Sequence, residues 1–180
     1  MCAYDLVLVG GVPGAGKSTA IAQATAGLSY VTTADPEHVS EWLRRRLPPQ
    51  VRYRAYRWLV HGTHTVRVIA HLLRGPAPGR RLVIHDPGTR RRRRKLLVAL
   101  AHWSGWCVAQ LYIDVDPAAA QEGQRRRGRI VRSFDQHWRS WEELRLTLVT
   151  AGRGYATCGD RVGLLVNRED TATLLRTLCS

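Results

Sequence analysis

Apolar residues run almost without a break from Tyr4 to Val9, the pattern of a strand covered on both faces, and then give way to a glycine-rich turn. Lys17 to Ala26 reads as a helix. Tyr30-Val31-Thr32-Thr33 is a short β-branched strand, and Pro36 suits the first position of a helix running through Glu41, Trp42 and Leu43 to the Pro48-Pro49 stop. From Tyr53 to Leu73, apolar residues such as Tyr56, Leu59, Val60, Val66, Ile69 and Leu73 recur at helical spacing until the Gly75-Pro76-Ala77-Pro78-Gly79 loop. Arg81 to His85 predicts a third strand, and Arg91 to Trp103 another helix. A fourth strand is expected over Cys107 to Ile113, with Asp116 and Pro117 as N-cap and first turn of the next helix. A helix over Phe134 to Val149, a glycine-rich loop, a strand over Val162 to Val166 and a short terminal helix complete the series.

This alternation predicts one α/β domain: a parallel five-stranded sheet with helices on both faces and right-handed crossovers. In open sheets of this kind ligands bind beyond the carboxyl ends of the strands, which selects the loops 10–18, 34–38, 86–94 and 114–132.

The first of those loops carries the sharpest chemistry. Gly11-Val12-Pro13-Gly14-Ala15-Gly16-Lys17-Ser18 is G-x-x-x-x-G-K-[ST] between strand and helix, the phosphate-binding loop (Walker A) of a P-loop NTPase. Its glycines let successive N–H groups face a polyphosphate, Lys17 reaches the β- and γ-phosphates, Ser18 offers a hydroxyl to Mg²⁺, and Thr19 follows in the helix, whose positive dipole end adds to the field. Lys17 is one of two lysines, Lys95 being the other, in a chain that otherwise carries its positive charge on arginine. A compact ammonium is kept where a planar guanidinium would not fit.

With 180 residues and 44% hydrophobic content the chain can bury the core of a single domain. The formal net charge of +14 predicts a field that attracts polyanions, either nucleic acid or another anionic substrate. Met1-Cys2-Ala3-Tyr4-Asp5 leads straight into the first strand with neither a basic leader nor a membrane-spanning stretch, so a cytoplasmic location is expected. Cys2, Cys107, Cys158 and Cys179 are far apart and form no C-x-x-C pair, so reduced thiols are expected rather than disulfides or a zinc site.

Asp86 closes the third strand, where a carboxylate can hold Mg²⁺ or its waters; it can equally be a turn residue before Pro87-Gly88. Asp35 follows the second strand and is the candidate general base, with a helix N-cap as the alternative role. Arg125, Arg126, Arg127, Arg129 and Arg132, around Gly123 and Gly128, predict an arginine-rich lid over about 123–150, two or three of whose arginines are simply solvated. Arg90 to Arg94 with Lys95 opens a helix with its charges against the macrodipole, reading either as a substrate tract or as a solvated patch. No metal is assigned to His61, His64 and His71, and Trp42, Trp58, Trp103, Trp106, Trp138 and Trp141 are read as core or helix-packing aromatics.

With these residues in view the chain resembles the small P-loop kinases grouped with polynucleotide 5′-kinases, zeta toxins and chloramphenicol phosphotransferase, among the AAA family ATPases. The likeness rests on Gly11 to Thr19, Thr33-Ala34-Asp35, Val83-Ile84-His85-Asp86, and Ile113-Asp114-Val115-Asp116 leading to Arg126-Arg127-Gly128-Arg129. The resemblance implies Asp35 as general base and Arg127 as a contact to the nucleotide phosphates, with Arg126 and Arg129 beside it. Polynucleotide kinases commonly carry an arginine shortly after the catalytic acid to hold the acceptor's phosphate, where this chain has Glu37 and His38. The expected function is an ATP·Mg²⁺-dependent kinase acting on a hydroxyl, either a nucleic-acid 5′-hydroxyl or one on a small metabolite, nucleotide sugar or antibiotic. The rival expectation is a non-catalytic, ATP-switched module that grips nucleic acid or protein. Neither ATP over GTP nor the oligomeric state has a readable code.

Overall fold

The computed structural model describes residues 4–126, 128, 134–150 and 162–180. Five strands, β1 (Leu6–Gly10), β2 (Val31–Ala34), β3 (Arg81–His85), β4 (Val108–Asp114) and β5 (Val162–Asn167), pair in parallel in the order β2-β3-β1-β4-β5. The helices are α1 (Lys17–Thr25), α2 (Pro36–Arg44), α3 (Tyr53–Arg74), α4 (Arg91–Trp103), α5 (Pro117–Arg126), α6 (Phe134–Thr150) and α7 (Thr171–Cys179). The expected alternation is therefore present, with element ends displaced by up to a few residues: β1 starts at Leu6 and α2 ends at Arg44, short of the Pro48-Pro49 stop.

Side-chain alternation along the strands splits the core in two. Val7, Val9, Val83, Leu111 and Ile113 form one apolar cluster with Ile21 of α1, Trp141 of α6 and Leu175 of α7. Leu6, Leu8, Leu82 and Ile84 form the other with Val68 and Leu72 of α3 and Leu97 and Val98 of α4. Each fully buried side chain such as Leu72, Ile84 or Leu111 contributes about 1.5–3 kcal/mol. A smaller cluster of Val39, Leu43, Tyr56 and Val60 joins α2 to α3 beyond the end of β2.

The tryptophan expectation needs correction. Trp141 and Trp106 are buried, and the Trp106 indole donates to the Leu72 carbonyl at 2.9 Å. Trp42, Trp58 and Trp103 are instead 52%, 73% and 79% exposed, on helix faces turned away from the sheet. Hydrophobicity of a residue type does not reveal which side of its helix faces the core. Gly123, at the start of the expected lid region, lies inside α5, where an added Cβ would stand 2.3 Å from the Gly14 carbonyl oxygen. It is a close-contact glycine that lets α5 touch the phosphate loop. Arg127, Arg129 and Arg132 lie outside the described residues, as do Cys2 and Cys158. Cys107 and Cys179 are free thiols, and burial pushes Cys179 up to about 11. Among the described residues no helix is long and apolar enough to cross a membrane.

Candidate active site

Strand register brings the candidate residues to one edge. Val9 pairs with His85, and Ala34 pairs with Ile84, so the phosphate loop, Asp35, His85 and Asp86 leave neighbouring strands at the same level. This is the carboxyl-terminal edge where a parallel sheet directs its loops toward ligand.

The phosphate loop from Gly11 to Ser18 is held through its backbone carbonyls, by close approach to α5 and by two buried apolar side chains. Gly14 adopts φ +89°, and a Cβ there would lie 2.0 Å from the Ala120 carbonyl oxygen, so only glycine allows the loop to lean on α5. Gln124 of α5 donates to the Pro13 carbonyl at 3.2 Å. From the other side Arg168, just after β5, donates to the carbonyls of Ala15 (3.1 Å), Gly14 (2.9 Å) and Ala119 (3.2 Å). Val12 and Ala15 are buried in the first core cluster, anchoring the loop from beneath. Lys17 is buried at 6% exposure, and its Nζ donates to the carbonyls of Gly11 (2.8 Å) and Val12 (2.9 Å). The ammonium thus sits inside the curl of its own loop.

Asp35 has two structural engagements. Oδ1 accepts the Glu37 N–H at 2.8 Å, the N-cap of α2, and Oδ2 lies 3.0 Å from His85 Nδ1. His85 Nδ1 is also 3.2 Å from Ser18 Oγ, so a polar chain joins the phosphate loop, β3 and the candidate base. Burial alone would favour the neutral acid. The hydrogen bond and field of His85, the Glu37 N–H and the Ser18 hydroxyl outweigh it and hold Asp35 well below the usual carboxylate range. Burial lowers the His85 pKa, partly countered by Asp35, so the imidazole is neutral at physiological pH. The Nδ1 proton is assigned toward Asp35 because a carboxylate only accepts.

Asp86 is buried and makes both the turn contact and an ion pair. Oδ2 accepts the Gly88 N–H at 2.9 Å, and Oδ1 accepts Arg93 Nε at 3.2 Å. Arg93 also donates to Thr65 Oγ1 on α3 at 2.9 Å. Arg94 donates to the Gly88 carbonyl and lies 6.0 Å from the Tyr112 ring centroid, while Arg90, Arg91, Arg92 and Lys95 are exposed. The basic run is thus divided: two arginines bind protein groups, and the others face solvent as helical geometry requires.

The hydroxyl of Ser18, in the first turn of α1, and the carboxylate of Asp86, just after β3, are hard oxygen donors at the same edge of the sheet, a set that suits Mg²⁺ beside phosphate oxygens. Among the described residues no group of three or more His, Cys, Asp or Glu side chains is arranged to hold a metal. A metal here would therefore share its coordination with substrate oxygens or water. Arg126 and Arg125 pair with Glu122 at 3.0 and 3.6 Å on an exposed helix end, pairs worth little in stability.

Several residues received no role from the sequence. His85 stood in a quoted motif as the partner of Asp86, yet its link between Ser18 and Asp35 depends on the strand order. Arg168, just after β5, braces the phosphate loop. His64, from the histidine triplet, lies buried with Nε2 3.2 Å from the His85 carbonyl, and burial followed by the fields of His85 and Arg93 lowers it to about 4. His137 of α6 bonds Thr89 after β3 at 2.8 Å. A strand-final histidine beside a motif acid was the only available signal for any of these.

The model of the AAA domain family AAA_33 matches residues 6–147. Solved structures with similar folds include a gluconokinase from Sinorhizobium meliloti 1021, 15% identical, covering 99% of this chain and 93% of that one at TM-score 0.51. A tunicamycin resistance protein from Deinococcus radiodurans is also 15% identical, covering 97% and 93% at TM-score 0.57. The PezAT toxin-antitoxin structure from Streptococcus pneumoniae shares 15% identity, covering 94% of this chain and 69% of that one at TM-score 0.60. No curated protein matches the sequence. These likenesses establish the P-loop NTPase fold in a single domain.

Proposed function

Starting from a chain that belongs to the AAA domain family AAA_33, we propose an ATP-dependent phosphotransferase that moves the γ-phosphoryl group to the hydroxyl of a small molecule. The observation that carries this reading is the placement of the Asp35 carboxylate against the phosphate loop, through His85 and Ser18 at 3.0 and 3.2 Å. A nucleotide switch needs the loop, but it does not need a buried, ionised carboxylate at the γ-phosphate end. The similarity in fold to a gluconokinase points the same way.

In this reading the loop amides and Lys17 hold the triphosphate, the ammonium exchanging the Gly11 and Val12 carbonyls for phosphate oxygens. Ser18 and Asp86 would hold Mg²⁺, whose contribution is to neutralise charge on the phosphate oxygens. Asp35 orients the acceptor hydroxyl and takes its proton. A carboxylate this acidic is a weak base, yet a loose transition state asks for little proton removal before the donor bond has largely broken. Arg127, with Arg126 and Arg129 of the lid segment, would meet the transferred charge.

The nucleic-acid 5′-hydroxyl expectation yields to the small acceptor. Several arginines are engaged within the protein: Arg93 with Asp86, Arg94 with Gly88, Arg168 with the phosphate loop, Arg81 with Asp5 and Arg145 with Asp114. Glu37, beside Asp35, would also repel an acceptor phosphate. Incubation with γ-labelled ATP, Mg²⁺, small polyols and 5′-hydroxyl oligonucleotides tests the reading. Label on a small polyol is expected; label appearing only in free phosphate overturns it.

A further inference from the structure

Helix α3 is covered on one side only. Its stripe of Tyr56, Val60, His64, Val68 and Leu72 is buried, the first two against α2, where the two helices also wall a cavity of about 450 Å³. Leu59, Val66 and Leu73, at i, i+7 and i+14, stand on the opposite side with Trp58 beside them, since seven residues return to within about 20° of the same direction. Helix α4 repeats the pattern. Leu97, Val98 and Ala101 are buried, and Leu96 and Trp103, again seven residues apart, are exposed.

The two helices lie side by side and run in the same direction over one face of the sheet. Arg93, near the start of α4, donates to Thr65 Oγ1 at 2.9 Å, and the Trp106 indole, just beyond its end, reaches the Leu72 carbonyl. Val68 and Leu72 share their buried cluster with Leu97 and Val98. The outward sides therefore form one surface, on which Val66, Leu73 and Leu96 are each more than half exposed and Trp58 and Trp103 stand free of the core.

The charge around that surface has one sign. Arg54, Arg57, Arg67 and Arg74 of α3 and Arg91, Arg92 and Lys95 of α4 are exposed, and neither helix contains an aspartate or glutamate. An apolar ridge framed by cations suits the interface of an anionic bilayer: indole rings and aliphatic chains enter between the head groups, and guanidinium groups meet lipid phosphates. Other occupants fit less well. A second copy would set the same cations against one another. A nucleic acid would meet the cations and stack on the indoles, but it offers nothing to Val66, Leu73 and Leu96. The phosphate loop and Asp35 leave the sheet at its carboxyl edge, so docking through the helices that cover its face keeps that edge open.

We propose that the outer side of α3 and α4 docks on the anionic surface of a phospholipid membrane, with Trp58 and Trp103 inserted among the lipids. The inference is independent of the phosphotransferase reading.

The test uses the full chain at physiological ionic strength, where long-range attraction is largely screened. Vesicles of phosphatidylcholine alone are compared with vesicles of equal parts phosphatidylcholine and phosphatidylglycerol. Co-sedimentation is read beside native tryptophan emission and its quenching by lipids brominated on their acyl chains. Binding to the mixed vesicles at least tenfold stronger than to phosphatidylcholine is expected, with blue-shifted emission and acyl-chain quenching. Trp58→Ser combined with Trp103→Ser should weaken that binding at least tenfold and remove the quenching. Arg67→Gln, Arg74→Gln and Lys95→Gln together should weaken it at least tenfold as well. All five positions are exposed, and melting curves verify that the variants fold. No binding to the mixed vesicles, equal binding to both kinds, or binding that the tryptophan pair does not affect overturns the proposal, the last being adsorption by net charge alone. A 5′-hydroxyl oligonucleotide that binds through Trp58 and Trp103, when the mixed vesicles do not, overturns it and assigns the surface to nucleic acid.

Discussion

The phosphate loop and the α2–α3 cavity are built by different means. On the loop side, glycine conformations, the Gly14–Gly123 approach and the Arg168 brace fix a backbone shape that suits any polyphosphate. On the cavity side, the walls are side chains, among them Glu37, Ser40, Glu41, Arg44 and two tyrosines projecting from a helical frame. A binding surface made of backbone is confined to a narrow sequence pattern, whereas one made of side chains leaves no fixed signature. Donor chemistry can therefore be read from one short motif, and a site walled by side chains only from the fold.

The strongest way to break this comparison is to remove the candidate base beside the phosphate loop. Asp35→Asn should lower kcat by roughly 10²–10⁴-fold, the usual contribution of a positioned acid–base group, in a steady-state assay with the acceptor identified by labelling. A change confined to KM would reassign Asp35 to the α2 cap alone. Next in size is Gly14→Ala, which places a Cβ at φ +89° against the Ala120 carbonyl oxygen. Strain and overpacking together should cost about 2–5 kcal/mol in a urea unfolding curve. Wild-type stability there would mean that the loop does not lean on α5.

These two positions also show what the sequence could reveal. Gly14 was legible because the motif itself demands a backbone turn, and Asp35 because it follows a β-branched strand. The interior strands β1, β3 and β4 were legible because a strand must be apolar on both faces when helices cover both. His85 was not legible as a link, since its partners are 67 and 50 residues away and meet only through the β2-β3-β1 order. The tryptophan assignments failed at Trp58 and Trp103 because both helices bury other stripes, those of Tyr56, Val60 and Val68 and of Leu97 and Ala101. Glu37 and Glu41 read in the sequence as ordinary solvated helix charges, and Glu41 stays exposed in the fold although both line the cavity.

A smaller effect should appear in acid. His64 is held at about 4 against an ordinary 6.5, chiefly by burial, so the unfolded chain binds more protons between those values. Stability should thus be full above pH 6.5 and decline as pH falls toward 4, by about 1–3 kcal/mol from this group. His64→Gln should flatten that slope in pH-dependent urea melts, and an unaltered slope would place the effect elsewhere. Least of all, Trp58→Ser should change stability by no more than about 0.5 kcal/mol, given its 73% exposure. A large loss would restore Trp58 to a packing role.

Calorimetric titration of the full chain with ATP in the presence of Mg²⁺, repeated on Lys17→Ala, tests the central claim most directly. One nucleotide should bind per chain with measurable heat, and the substitution should weaken it at least tenfold. Equal heats and affinities in the two proteins, or no heat in either, would contradict a triphosphate held by the Gly11–Ser18 loop and its buried ammonium.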